Sequence, residues 1–339
     1  MRLIKTEDAV GHVLCHDMTQ IIKDQYKDAR FRKGHVVTEE DIPVLLSMGK
    51  EHLYVWEMTP SMVHENDAAE RLLALCGQEN MIRSGVKEGK IELKAACDGV
   101  FLVDSARLVA VNSQDEVMIA TRKGGMAVRE GDKLAGMRVI PLIIEEEKLR
   151  KAEQAAGDKP LLSLKPYVRK TACIVATGGE VKKGLIKDTF TPVVIDKLKT
   201  YGIETLEVVC SGDGVENVRD AVLTMREKKP DMILCTGGMS VDPDDNTPGG
   251  IKAAGANIIA YGAPVLPGAM FLLGYFDDGM PVMGLPGCVM YAGATVFDLV
   301  LPKIAADVPV TRADIAALGE GGLCLGCKPC HYPICPFGK

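Results

Sequence analysis

Thr236-Gly237-Gly238-Met239-Ser240-Val241-Asp242-Pro243-Asp244-Asp245-Asn246-Thr247-Pro248 decides what kind of fold this chain adopts. The stretch follows Met232–Cys235, a short apolar run with the composition of a buried strand. Two successive glycines allow positive φ and close approach of backbone to a ligand. Successive N–H groups in such a turn form a concave anion site. Thr247 fits a helix N-cap and Pro248 the first helical position. The stretch therefore spells strand, glycine turn, helix start. Asp244 and Asp245 sit just before that helix. Either both carboxylates complement its dipole, or one orients a divalent cation or a reacting group beside a phosphate.

Working outward, the same pattern recurs. Thr177-Gly178-Gly179-Glu180 follows the apolar run Ala172–Ala176, and Leu285-Pro286-Gly287-Cys288 follows Pro281–Gly284. Between them, Pro192–Leu198 and the spaced Val215, Val218, Val222 and Met225 predict amphipathic helices. Thr205–Val209 and Asn257–Ala260 predict further strands, and Val289–Leu301 a buried apolar helix. Strand–helix alternation implies an α/β fold, a three-layer sandwich whose mostly parallel sheet is covered on both faces. Ligands of such sheets bind beyond the carboxyl ends of the strands. One glycine turn is weak evidence of a site; three at the strand ends of one sheet converge on one rim.

The preceding part of the chain reads differently. Residues 1–150 form a β-rich N-terminal region, with strands expected at His52–Trp56, Gly99–Asp104, Leu108–Val111, Val117–Ala120 and Met137–Ile144. Glu39–Met48 and Asn66–Gly77 have helical spacing. Trp56 reads as a packing residue, and His12, His16 and His35 lack the spacing of a metal site. The charged run from Glu145 to Lys159 marks a boundary, with a linker over 151–164 and the α/β domain over 165–308.

Composition narrows the function classes. The 339 residues are 47% hydrophobic and 25% charged, which suits a chain that buries a real core. A net charge of -6 argues against nucleic acid or an anionic membrane as partner. An anionic ligand must then be held by local features. No apolar run reaches transmembrane length, and the start lacks the apolar stretch of a signal peptide. A cytoplasmic location is expected. Of 11 cysteines, seven are scattered and read as reduced, small apolar residues.

The other four crowd into residues 309–339, a cysteine-rich tail. Cys324, Cys327, Cys330 and Cys335, with His331 among them, put four thiols within reach of one centre. Zinc suits four sulfurs, or three sulfurs and a histidine. An iron–sulfur cluster suits the spacing equally. A flexible, redox-sensitive tail is the third reading. Cys288, after a Pro-Gly turn, reads as a packed thiol rather than a reactive one, and Asp298 as an acid hydrogen-bonded to a neighbour on an apolar helix.

Thr236-Gly237-Gly238-Met239-Ser240 with Asp245 resembles the signature of the molybdenum cofactor biosynthesis domain. Molybdopterin adenylyltransferases and molybdopterin molybdotransferases share that domain. Pro243–Pro248 resembles the adenylyltransferase branch, while Gly184-Leu185-Ile186-Lys187-Asp188 and Leu285-Pro286-Gly287 resemble further family elements. Ala9–Leu14, Arg32–Val37 and Arg138–Leu142 resemble the molybdotransferase branch.

The resemblance implies a ligand, molybdopterin or adenylylated molybdopterin. Its phosphate would rest on Thr236, Gly237, Gly238 and Ser240, near Thr177, Gly178 and Glu180, with Pro286 and Gly287 completing the site. Asp245, supported by Asp188, would handle Mg2+ or an adenylylated intermediate while molybdate enters. A homo-oligomer, and a molybdoenzyme as partner, are also implied. The departures are specific. Gly179 stands where the molybdotransferase pattern has an acid, Leu266 where it has a lysine before Pro-Gly, and Cys288 where it has an asparagine. A lysine lost beside a phosphate removes a charge-assisted contact worth ~1.5–3 kcal/mol. No counterpart of the branch's β-rich C-terminal domain is expected in the residues after Pro302, and the tail is foreign to the pattern.

Two other functions therefore stay open. One is a non-catalytic carrier or sensor that delivers the cofactor to a molybdoenzyme. The other is a nucleotide pyrophosphatase or deamidase, because the competence-damage-inducible family has a similar Thr-Gly-Gly loop with paired aspartates.

Overall fold

A computed structural model describes residues 2–22, 26–55, 61–179, 187–240, 242 and 245–339. The chain divides into two compact units. One comprises residues 1–97, 102–124 and 129–164; the other comprises 98–101, 125–128 and 165–339.

The second unit is built on a six-stranded sheet. Its strands are β1 (Thr171–Thr177), β2 (Glu204–Ser211), β3 (Met232–Thr236), β4 (Asn257–Tyr261), β5 (Leu272–Tyr275) and β6 (Pro281–Leu285). Their order is β2-β1-β3-β6-β5-β4. Pairing is parallel from β2 through β1 and β3 to β6, and antiparallel at β6–β5 and β5–β4. Only β5 thus runs against the rest. Side chains of successive residues point to opposite faces of a strand. Ile174, Leu234, Met283 and Leu285 accordingly enter one buried cluster, while Cys173, Val175, Ile233, Cys235 and Val282 enter another.

Helices cover both faces. α1 (Phe190–Lys199) and α4 (Val296–Ala305) supply Val194, Leu198, Phe297 and Val300 to the first cluster. α2 (Val215–Glu227) and α3 (Thr247–Ala253) supply Val218, Val222, Met225 and Ile251 to the second. This is a three-layer α/β sandwich with a mostly parallel sheet. A short helix, α5 (Arg312–Ala317), follows, and the tail beyond it has neither helix nor strand apart from one bridge between Leu323 and Leu266. Phe337 in the tail is buried in the first cluster. Residues 98–101 and 125–128 also belong here, with Gly99, Val100 and Phe101 paired antiparallel to Val128, Ala127 and Met126.

The first unit contains a four-stranded antiparallel sheet in the order 81–83, 91–95, 133–139, 117–121. The helix Glu65–Cys76 buries Ala68, Ala69, Leu72 and Leu73. Arg71 ties it to the helix Glu146–Ala156 through Glu146 (2.6 Å) and Glu153 (2.7 Å). A second small cluster gathers Leu14, Phe31, Leu45 and Leu53.

Three local expectations need correction. Leu108–Val111, expected as a strand, lies within a helix, Ser105–Asn112. The Asp104 carboxylate caps it by accepting the Arg107 N–H at 3.1 Å. The Arg107 guanidinium then reaches Ala156 O and Pro160 O, so capping and packing override the β-branched valines. Val289–Leu301 is not one helix. A 3-10 turn over Gly287–Met290 is separated from α4 by the Thr295–Asp298 capping box. The N-cap of α3 is Asn246 rather than Thr247, so Thr247 takes the first helical position ahead of Pro248. Trp56 lies outside the described residues.

Candidate functional site

The carboxyl ends of β1, β3 and β6 lie side by side. Register pairs Ala176 with Thr236, and Thr236 with Leu285. The three glycine turns therefore leave the sheet from neighbouring positions on one edge.

Two buried threonine hydroxyls tie these turns together. Thr177 Oγ1 lies 2.9 Å from Thr236 O and 3.0 Å from Thr247 Oγ1. Thr247 Oγ1 lies 2.9 Å from Gly237 O, and the Thr247 N–H donates to Gly238 O at 3.2 Å. Gly237 and Gly238 have φ of +83° and +57°. A methyl group on Gly237 would strike the Thr177 carbonyl oxygen, and one on Gly238 would lie 2.6 Å from Thr247 Oγ1. Both positions demand glycine for conformation and for space. The result is a stiff double turn at the start of α3.

Asp245 is half-buried beside this turn. Its Oδ2 accepts the Ser240 N–H at 2.9 Å, and its own N–H donates to Asp242 O at 2.9 Å. Tyr261, at the end of β4, donates its hydroxyl to Met239 O at 3.1 Å. Burial, and then the Asp245 charge, push the Tyr261 phenol up from its usual range. Asp245 is thus held in place by the loop that it closes.

Asp188 has an evident structural duty. Its Oδ1 accepts the N–H groups of Phe190 (2.9 Å) and Thr191 (3.0 Å), so it caps α1. The neighbouring Thr189 hydroxyl reaches Met290 Sδ at 3.1 Å, which brings this segment to the third turn. At that turn Gly287 faces open space. Burial pushes the Cys288 thiol up, which opposes formation of a thiolate nucleophile. Glu180, Asp244 and residues 184–186 lie outside the described residues.

One participant escaped the sequence reading. β2 also ends in a glycine-containing turn, Ser211-Gly212-Asp213-Gly214, next to β1. The Asp213 carboxylate accepts the Gly179 N–H at 3.0 Å. A methyl on Gly179 would lie 2.5 Å from Asp213 Oδ2. The acid absent at position 179 is thus matched by one arriving from the adjacent strand end. The signal was available: a fourth glycine turn after a fourth parallel strand.

The tail forms a separate feature. Cys324, Cys327, Cys330 and Cys335 line one cavity of about 400 Å³. Among the described residues, no three His, Cys, Asp or Glu side chains stand close enough to enclose one metal ion. Nor is any helix among them long and apolar enough to cross a membrane.

Residues 173–306, which contain the glycine turns and all of the sheet but the first two residues of β1, match the family model described as a probable molybdopterin binding domain. That match lies within the second unit and ends before the cysteine tail. Residues 3–57 match a model described as a domain of unknown function (DUF8806).

Among curated proteins, the chain is similar to a CinA-like protein of Desulfosudis oleivorans, 35% identical over 81 residues. That match covers 24% of this chain and 19% of the relative. A CinA-like protein of Mycobacterium tuberculosis is 33% identical over 76 residues, covering 22% and 18%. The chain therefore spans about a fifth of the length of the curated relatives it matches. A solved structure titled as the molybdopterin biosynthesis enzyme MoaB of Thermus thermophilus aligns at 17% identity and a TM-score of 0.35, covering 41% of this chain and 98% of that one. The fold rests on the strands and helices described above rather than on that likeness.

Proposed function

We propose that the second unit binds molybdopterin, or its adenylylated form, at the edge where β1, β3 and β6 end, and that the protein acts in molybdenum cofactor biosynthesis by inserting molybdate. The observation that carries this reading is the register of the three strands, which gathers three glycine turns and Asp245 at one edge of a domain that matches the molybdopterin-binding family. The residues suit a phosphate-bearing ligand. Gly237 and Gly238 keep side chains out of its path, and the backbone N–H groups of such glycine turns suit an anion. The Thr177–Thr247 contact holds the cradle rigid without the ligand.

The chain's net charge does not attract an anion, so binding rests on backbone dipoles and on a cation held by carboxylate. Asp245 is the group proposed to hold Mg2+ or to orient the adenylylated phosphate. Asp188 supports it indirectly, by fixing the start of α1. Thr177, Gly178, Thr236, Ser240, Pro286 and Gly287 shape the cradle. Glu180 completes the proposed set from the sequence alone.

Asp245→Asn is expected to abolish molybdate transfer and to weaken Mg2+-dependent ligand binding by tenfold or more, an effect of about 1.4 kcal/mol. Its denaturation curve should match that of the wild type, because the amide oxygen can still accept the Ser240 N–H. Unchanged binding and turnover in that variant would sink the assignment.

A second reading, hydrolysis of a dinucleotide, is favoured by the CinA-like names of the curated relatives. Release of mononucleotide from a dinucleotide pyrophosphate, with no calorimetric signal for molybdopterin, would select it. Binding of the pterin without turnover would instead mark a cofactor carrier.

A further inference from the structure

Residues 321–339 have no helix and hardly any regular pairing, yet they are tightly placed. The Cys324 N–H donates to Leu266 O at 2.8 Å. The Tyr332 hydroxyl donates to the backbone oxygen of Asp298 at 3.0 Å, and Phe337 is buried in the α1–α4 cluster. Between and beside these anchors, Cys324, Cys327, Cys330 and Cys335 all face one cavity of about 400 Å³. The second unit's own surface contributes to that space. At Gly293 an added methyl would lie 2.7 Å from Cys330 Sγ, so the backbone there leaves room for that sulfur.

A short segment with no core of its own, whose four thiols share one space, is the kind of segment that bound metal orders. A single zinc ion would need its sulfurs about 2.3 Å from one point. The described side chains do not gather that closely. A polynuclear cluster is bound by one thiolate at each iron, and so accepts sulfurs spread around a wider space. The spacing agrees. The two two-residue gaps of Cys324, Cys327 and Cys330 match the three cysteines that a bacterial iron–sulfur run gives to one cluster, and Cys335 is the fourth candidate because it lines the same cavity.

We propose that the tail binds a cubane iron–sulfur cluster through the thiolates of Cys324, Cys327, Cys330 and Cys335. Each thiol gives up its proton to solvent as its iron–sulfur bond forms. The proposal does not depend on which ligand the glycine turns receive.

The test uses the full chain purified without oxygen, then incubated with ferric iron, sulfide and a dithiol reductant, which is oxidised to its disulfide as it supplies the two electrons that bring four ferric irons to the mixed-valence cluster. About four irons and four acid-labile sulfides per chain are expected, with a broad visible absorption that reduction bleaches. Cys327→Ser and Cys330→Ser should each lose most of the iron. Cys210→Ser, at an exposed cysteine outside the tail, should lose none. Should the tail variants fail to fold, the iron and sulfide content of the wild type and of Cys210→Ser still decides the matter. One zinc per chain without sulfide would overturn the proposal. So would a metal-free chain whose four tail thiols all react with a thiol reagent under native conditions.

Discussion

At the level of single residues, Gly237 carries two separate constraints: a left-handed backbone and the nearness of the Thr177 carbonyl. Gly279 shares the first constraint, with φ of +81°, but a methyl there would meet open space. The pair separates the two effects. Gly279→Ala should cost about 1 kcal/mol, the lower end for a strained non-glycine residue. Gly237→Ala should cost at least twice that, and should also weaken pterin binding. Urea denaturation of both variants checks this, and equal losses would show that the collision is relieved cheaply.

Two histidines of the first unit, the buried His64 and the half-buried His16, set a second expectation. Burial pulls His16 and His64 below the usual value of 6.5, helped at His16 by Lys50 and opposed there by Asp17. A depressed histidine pKa means that the unfolded chain binds more protons, so stability is present above about 6.5 and is lost as pH falls. Glu65 acts in the opposite sense. Burial raises its carboxyl from 4.5, so its contribution is present below that value and fades as pH rises. Stability measured by urea at pH 7.5 and at 6 should therefore fall toward acid. His16→Leu should flatten that dependence, since the buried His16 Nδ1 makes no hydrogen bond with the described residues. An unchanged slope in the variant would refute the role.

At the level of elements, α4 shows how one side chain can organise a helix. Asp298 closes the capping box by accepting the Thr295 N–H at 2.8 Å, and its other oxygen pairs with Lys197 of α1. Both side chains are largely buried. Asp298→Ala removes the cap and strands the lysine, which should cost roughly 3 kcal/mol. Lys197→Met together with Asp298→Ala should recover part of that loss, as a double-mutant cycle in denaturant would reveal. A double variant no better than the single one would locate the whole effect in the cap.

The same helix marks where the sequence was legible and where it was not. β1, β3 and β6 could be read because buried parallel strands are short apolar runs bounded by glycine turns. α2 could be read from four apolar residues at helical spacing. α4 was placed too early because apolar composition alone does not say where a helix starts; Thr295-Val296-Phe297-Asp298 does, through its cap. Thr311-Arg312-Ala313-Asp314 carries the same signature and begins α5, which the reading passed over. β5 escaped because Leu272–Tyr275 is only four residues long, lacks β-branched residues and includes Gly274. At the site, the turns were visible as glycines. The two threonine hydroxyls that lock them, and Asp213 from β2, are meetings between distant segments that spacing cannot reveal.

At the level of the whole molecule, the two units are not consecutive stretches of sequence. The charged stretch near residue 150, where the sequence suggests a linker, contains a helix with Leu149, Ala152 and Ala156 buried. The second unit also takes in two pieces far upstream, 98–101 and 125–128. There the Gly99 carbonyl accepts the Tyr167 hydroxyl at 2.8 Å, and a methyl on Gly125 would lie 3.2 Å from Lys303 Cε. Anyone wishing to study the second unit by itself would naturally begin the gene at codon 165. Such a fragment would leave the ribosome without two of its own pieces: a phenol deprived of its acceptor, an uncovered lysine, and the paired segments around Phe101 left behind on the discarded part.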